Sequence, residues 1–171
     1  MLPPIQYRIT ASPLGALLVA ATPQGICFVG LDDTLDAIRA AFLHDFPAAQ
    51  PEDERADLTD WMDTLLAYLR GAARDLSLPL DVHGTAFQQR VWQELQAIPY
   101  GETRTYGQIA VALGQPTATR AVGHACGSNA AALVIPCHRA LRADGSLSGY
   151  RWGLHRKDAL LTLERFGVAA C

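Results

Sequence analysis

The sequence predicts a mixed α/β (α+β) fold in two parts: a small N-terminal antiparallel sheet with helices, then a mostly helical region. Three observations carry that expectation. Runs rich in branched and apolar residues over 5–10, 16–21 and 26–30 are separated by Ser12-Pro13 with Gly15 and by Pro23-Gln24-Gly25, the pattern of short strands joined by tight turns. Thr85-Ala86-Phe87-Gln88 and Thr105-Tyr106-Gly107-Gln108 each have the form of a capping box, which opens a helix. A wholly apolar segment over 130–135 leads into Pro136-Cys137-His138-Arg139, a proline-braced turn anchored in a core. A boundary near His83-Gly84 gives parts 1–83 and 84–171.

In the first part, residues 34–46 place Leu35, Ile38, Phe42 and Phe46 at helical spacing. Residues 56–70 form a second helix with Trp61, Leu65, Leu66 and Leu69 on one face, stopped by Gly71. Residues 76–82 return as a short strand. Nothing here gathers polar groups for chemistry, so this part reads as a scaffold and Cys27 as a core thiol. In the second part, the helix after Thr85 buries Phe87, Val91 and Leu95, with Trp92 beside them. Residues 98–102 turn, and the helix opened by Thr105 runs through Leu113 to a stop at Gly114-Gln115-Pro116. Thr117 can cap the next helix, which runs to about Gly127. Two short helices across a glycine turn resemble a helix-turn-helix, and equally fit an ordinary helical hairpin. Asp144-Gly145 reads as the turn of a hairpin between 139–142 and 147–150. Residues 149–153 form a glycine and aromatic loop, either a wall over a pocket or a plain connection. The last helix spans 154–166.

The 171 residues suffice for one large domain or two small ones. Half are hydrophobic and 18% charged, a globular composition, and no apolar run approaches a membrane span. The start, Met1-Leu2-Pro3-Pro4, lacks the basic residues and long apolar stretch of a signal peptide. Four cysteines, at 27, 126, 137 and 171, show no paired spacing, which fits free thiols in a reducing compartment, the cytoplasm. The net charge of −3 is unevenly divided. Residues 1–80 hold 5 Arg and 11 acids, whereas 81–171 hold 8 Arg and 1 Lys with 6 acids. An anionic partner is therefore expected to meet the second half.

Cys137 is the candidate nucleophile. A thiolate is favoured by cationic neighbours, and His138 and Arg139 follow it directly. Local chemistry leaves a structural thiol open as the alternative. Glu164 falls on the apolar side of the last helix, three residues after Leu161 and four after Leu160, and a buried carboxylate there wants a partner. His138 is one candidate; Arg165 or a neighbouring arginine is the alternative.

Taken together, these residues resemble the O6-alkylguanine-DNA alkyltransferases, or methylated-DNA–protein-cysteine methyltransferases, and most closely the C-terminal methyltransferase part of the bacterial adaptive-response protein Ada. The likeness runs in order through Gly84-Thr85-Ala86-Phe87-Gln88-Gln89-Arg90-Val91-Trp92, Ile98-Pro99-Tyr100-Gly101-Glu102-Thr103 with Thr105-Tyr106, and Arg120-Ala121-Val122-Gly123. Asn129, Ile135-Pro136-Cys137-His138-Arg139, Ser148-Gly149-Tyr150-Arg151-Trp152-Gly153 and Lys157 complete it. It is nearly unbroken from 84 to 164 and weaker over 5–80.

The resemblance implies a ribonuclease-H-like scaffold over 1–83 and a DNA-binding, alkyl-accepting domain over 84–171. It implies direct-reversal repair: the alkyl group of O6-alkylguanine, and of O4-alkylthymine, moves once and irreversibly from a flipped nucleotide to Cys137. His138 would draw the thiol proton through a water, Glu164 would orient the imidazole, and Tyr106 would stabilise the leaving guanine. Asn129 would join the recognition helix to the cysteine turn. Arg120 would fill the gap in the stack, with Thr105, Tyr106, Ala118, Thr119 and Ala121 also on the DNA side. Val134, Ser148, Tyr150 and Arg151 would wall the base pocket. A helix-turn-helix ordinarily presents its second helix to the major groove, whereas the resemblance implies a minor-groove approach to duplex DNA by a monomer, with no cofactor and no membrane. Some relatives carry a structural zinc in the first half; here Cys27, His44 and His83 lack ligand-like spacing, so no metal is expected.

Three features stand apart from the family pattern. Ala140-Leu141 replaces the two valines usual after Pro-Cys-His-Arg. His124 and Cys126 have no assigned role. These 171 residues have no counterpart of Ada's regulatory N-terminal domain, so the chain is expected to be a free-standing repair protein, which the Met1 start favours, or one part of such a regulator. The rival readings are a thiol hydrolase using Cys137 and a binding-only sensor of alkylated DNA. Adjacent Cys and His side chains point apart in extended backbone, against the first; members of the second kind replace the acceptor cysteine, which this chain keeps.

Overall fold

A computed structural model describes residues 3–52 and 54–167, so Met1 and Cys171 lie outside the described residues. The branched runs form three antiparallel strands, β1 (Gln6–Ser12), β2 (Gly15–Thr22) and β3 (Gly25–Asp32), paired in the order β3-β2-β1. A two-residue strand β4 (Gln50–Pro51) adds to β1 in parallel. β2 is buried from Ala16 to Thr22 with no alternation, because both faces of the sheet are covered. Helices α1 (Leu35–Asp45) and α2 (Ala56–Leu69) pack against it.

Thr34 caps α1, its side chain accepting from Ala37 N. Ile38 and Phe42 are fully buried, but Leu35 faces outward. The buried stripe of α2 is Leu58, Met62, Leu65, Tyr68 and Leu69, rotated from the expected face, with Trp61 and Leu66 at its margin. The expected strand over 76–82 is not formed. Pro79 has no N–H to give to a ladder, and pairing shrinks to one bridge between Ile26 and Leu80.

The second half holds α3 (Ala86–Gln96), β5 (Arg104–Thr105), α4 (Tyr106–Ala112), α5 (Thr119–Gly127), β6 (Ala140–Leu141) and α6 (Leu154–Phe166). Both capping boxes form, at Thr85 and Thr105. Val91, Trp92 and Leu95 are buried, with Phe87 at the edge of the same cluster. The helix after the glycine turn is not capped by Thr117; Ala118 is its cap residue and makes no side-chain cap bond. The expected hairpin is a turn only, closed by Gly145 N to Arg142 O at 2.9 Å. β6 pairs instead in parallel with β5, leaving 147–150 free to form a wall.

The two halves share a core. Ala132, Leu133, Val134, Trp152 and Leu160 belong to the same buried cluster as the sheet, α1 and α2. Trp152 stands edge-on to Phe28 at 5.7 Å. Gly30 permits this approach, since a Cβ there would lie 2.8 Å from the indole. Full burial of side chains such as Phe28, Phe42 and Leu65 stabilises the fold by about 1.5–3 kcal/mol each. Among the described residues, no helix is long and apolar enough to cross a membrane.

Candidate active site

The apolar run before the cysteine is stitched to β3. Val29 N donates to Ala130 O at 2.9 Å, and Ala132 N donates to Val29 O at 3.2 Å. Leu133 is driven to φ 71°, a left-handed conformation that a non-glycine residue keeps only when its surroundings impose it. Pro136, at φ −81° and ψ 64°, closes an inverse γ-turn in which Cys137 N donates to Ile135 O at 2.8 Å. One 3-10 turn, Cys137–Arg139, follows. Asn129 braces it: its Nδ2 donates to Ile135 O at 2.8 Å and lies 3.3 Å from Cys137 Sγ, while its Oδ1 accepts from Ala131 N.

Glu164 reaches the turn from α6 and is the hub of a buried network. Its Oε1 lies 2.9 Å from His138 Nε2, and Arg139 closes on both oxygens, Nη2 to Oε1 at 2.7 Å and Nε to Oε2 at 2.9 Å. Gly101 N donates to Oε2 at 3.3 Å. Gly101 sits at φ 82°, where a side chain would be strained, and this brings its backbone onto the carboxylate. Burial would raise the Glu164 carboxyl, but the His138 and Arg139 donors outweigh it and hold it at about 2. His138 is fully buried, and burial pushes its imidazole down against the pull of Glu164. A neutral ring with Nε2 donating to the carboxylate leaves Nδ1 as a bare base, and Nδ1 has no partner among the described residues.

The charge at the sulfur differs from expectation. Arg139 is bound to Glu164 and to Ile98 O at 2.7 Å, so it is not the thiol's counter-ion. Burial pushes the Cys137 thiol up, opposed by the Asn129 amide and by the Lys157 ammonium. Lys157 is itself buried, donating to Ala140 O at 2.7 Å and to Ser148 O at 3.3 Å, and lying 3.5 Å from the Tyr106 hydroxyl.

A cavity of about 20 Å³ lies beside the sulfur, lined by Tyr106, Cys126, Asn129, Cys137, Tyr150 and Arg151 among others, and this is room for one water. The Tyr106 and Ser148 hydroxyls meet at 2.6 Å, but Ser148, unlike Tyr106, does not itself line the cavity. Arg151 stacks on Trp152 and reaches Asp45 of α1 at 3.6 Å. Val134 does not line this cavity; it lies in a separate groove with Arg74, Tyr100 and Pro136. Cys126 shares the cavity, and burial pushes its thiol up to about 12. Cys27 is half-buried and raised to about 11, in line with a core thiol.

On α5, Thr119, Arg120, Ala121 and His124 are exposed and Ala118 is half-buried, while Val122, Ala125 and Cys126 face the core. No hydrogen bond or ion pair holds Arg120 among the described residues, so it is free to reach outward. Thr105 is occupied as the cap of α4, accepting from Gln108 N at 3.1 Å.

Sequence reasoning missed Tyr68. The first half was read as having no polar group for chemistry, yet the Tyr68 hydroxyl donates to Glu164 Oε1 at 2.5 Å and lies 3.3 Å from His138 Nε2. The available signal was a polar-tipped aromatic on the apolar stripe of α2, three residues after Leu65. A buried tyrosine hydroxyl ordinarily finds a partner.

Two family models match the chain. The 6-O-methylguanine DNA methyltransferase ribonuclease-like domain covers residues 5–82, and the 6-O-methylguanine DNA methyltransferase DNA binding domain covers 86–166. The chain is 48% identical over 160 residues to the regulatory protein ada of Salmonella typhimurium, spanning 94% of this chain but only 45% of that protein. It is 43% identical over 162 residues to the methylated-DNA–protein-cysteine methyltransferase of Mycobacterium tuberculosis, 94% of this chain and 93% of that one. The fold matches M. tuberculosis OGT in complex with DNA at 40% identity and a TM-score of 0.83, over 96% of each chain.

Proposed function

The chain belongs to the 6-O-methylguanine DNA methyltransferase family, and we propose that it reverses alkylation damage directly, moving the alkyl group of an O6-alkylguanine in duplex DNA onto its own Cys137. The observation that carries this reading is the buried Glu164–His138 pair on the turn that holds Cys137, with His138 Nδ1 left without a partner among the described residues and Asn129 bracing the turn. His138 Nδ1 takes the thiol proton through a water, and Glu164 holds the imidazolium that results. The sulfur attacks the alkyl carbon, the carbon–oxygen bond breaks, and its electron pair leaves on the guanine oxygen. Tyr106 hydrogen-bonds the guanine ring and steadies the leaving base. The thioether has no easy leaving route, so each molecule works once.

The substrate nucleotide must leave the duplex, at a cost of a few kcal/mol. Arg120 fills the gap. The wall over 148–151 shifts to admit the base, because the cavity as it stands holds about one water. The small side chains of Ala118 and Ala121 suit close approach to a minor groove, whose degenerate pattern gives sequence-tolerant binding. In this reading residues 1–83 are the scaffold, residues 84–171 bind DNA and accept the alkyl group, and a monomer acts on duplex DNA in the cytoplasm.

Intact-mass measurement after incubation with an O6-methylguanine duplex tests the reading. One methyl group per molecule is expected, mapped by peptide analysis to Cys137 and lost in Cys137→Ser. A label on Cys126, or turnover beyond one equivalent, would contradict it.

A further inference from the structure

We propose that Tyr68 is a positioning residue for the reacting cysteine: its hydroxyl crosses from α2 to lock Glu164 and His138 into one arrangement. The assignment rests on Cys137 being the reacting sulfur. Tyr68 is fully buried and lies 70 residues from His138 and 96 from Glu164, so only tertiary packing brings it there. Its ring stands edge-on to Tyr100 at 6.0 Å, and Arg139 lies over Tyr100, which fixes the direction of the hydroxyl.

A phenol has one proton to donate. Here it goes to Glu164 Oε1, leaving the phenol oxygen as an acceptor 3.3 Å from His138 Nε2. The imidazole nitrogen therefore faces two acceptors, the carboxylate and the phenol oxygen, and must carry the hydrogen. The ring is locked with Nδ1 bare. Burial and the neighbouring Glu164 charge hold the Tyr68 phenol well above its ordinary range, so it stays a donor throughout the working pH.

Tyr68 also shares the carboxylate with His138. Each donor to Glu164 spreads the negative charge that would otherwise favour a protonated neighbour. Removing one donor concentrates that charge on the Cys137–His138 pair and raises the pH at which the pair first loses a proton. The other groups facing the pair are Cys137 and Arg139 on the same turn, Lys157 on α6, Tyr100 before β5 and Tyr150 in the pocket wall.

The test is the pH profile of Cys137 alkylation in the full chain, read by peptide mapping with two probes, iodoacetamide and an O6-methylguanine duplex. In Tyr68→Phe, the acid limb should move up by about half to one pH unit, and the plateau rate should fall. Replacing Tyr68 with 3-fluorotyrosine keeps the ring and strengthens the donor, so the limb should move down; this variant decides the matter if Tyr68→Phe does not fold. A limb that stays in place, or moves the same way in both variants, overturns the proposal. If the limb moves with iodoacetamide while the wild-type protein takes no methyl from the duplex, the inference about Tyr68 stands and the methyl-transfer reading fails.

Discussion

Glu164 holds a negative charge where little water reaches it, and its donors decide what that charge does to stability. Its folded value of about 2 lies below the ordinary 4.5, so unfolding takes up a proton between the two. The stability it contributes is complete above about pH 4.5 and is lost as pH falls through 2, a span on the order of 3 kcal/mol. His138 acts in the same direction. Burial depresses its folded value below 6.5, so its contribution is complete above 6.5 and is lost as pH falls through the folded value. Glu164→Gln should be less stable at neutral pH and should lose less on acidification. Urea midpoints measured from neutral pH down to pH 2 check this. Asp57 and Asp144 also titrate low, but they are common to both proteins and cancel in the comparison. Parallel decline in both would remove Glu164 as the source of acid sensitivity.

Helix α5 is narrow on both faces. Its inward face, Val122, Ala125 and Cys126, packs on α3 and α4, and its outward face carries Ala121 and Arg120, a cation without an ion pair among the described residues. Arg120 is exposed and makes no hydrogen bond or ion pair among the described residues that its removal would break. Its loss should therefore spare the Cys137 turn and raise the cost of the flipped state alone. With a flipping cost of a few kcal/mol and 1.36 kcal/mol per factor of ten, Arg120→Ala should slow methyl transfer from duplex DNA about tenfold or more. Transfer from free O6-benzylguanine, which needs no flipping, should change little. Equal losses on both substrates would mean that Arg120 supports the turn instead.

On the scale of the whole molecule, the charge is divided between a first half rich in acids and a second half with a surplus of arginine. A net charge of −3 does not forbid DNA binding when the positive surplus sits on the binding side. Affinity for duplex DNA should fall as salt rises, by about 0.9 log units per decade of salt for each phosphate neutralised. Fluorescence anisotropy over a salt series measures the slope, and the acidic first half should keep it shallow. Salt-independent affinity would count against phosphate contact. The first half also contributes beyond charge, because α2 brings Tyr68 to Glu164 beside the Cys137 turn and α1 offers Asp45 to Arg151 of the cavity lining.

What the sequence by itself determined is local. Turn residues between β1, β2 and β3, the capping boxes at Thr85 and Thr105, and the stop at Gly114 act within a few residues of themselves, and each formed where it was read. The cysteine turn was legible for the same reason, since Pro136 fixes its own backbone and an apolar run must be buried. Elements whose fate depends on a partner were misread. Residues 76–82 have strand composition, but Pro79 and the single bridge to Ile26 deny them a ladder. Residues 139–142 left their expected hairpin to pair with β5. At the site, Glu164 was found from its place on an apolar face, yet spacing left its partner open. The tertiary structure gave it His138 together with Arg139, an arginine brought close by folding in place of the adjacent Arg165, because a buried carboxylate with two oxygens can accept from both. Tyr68 and Lys157 belong wholly to the fold. A hydroxyl and an ammonium reveal their partners only when packing takes water away and leaves the carboxylate, the imidazole and a few carbonyls as the groups that can satisfy them.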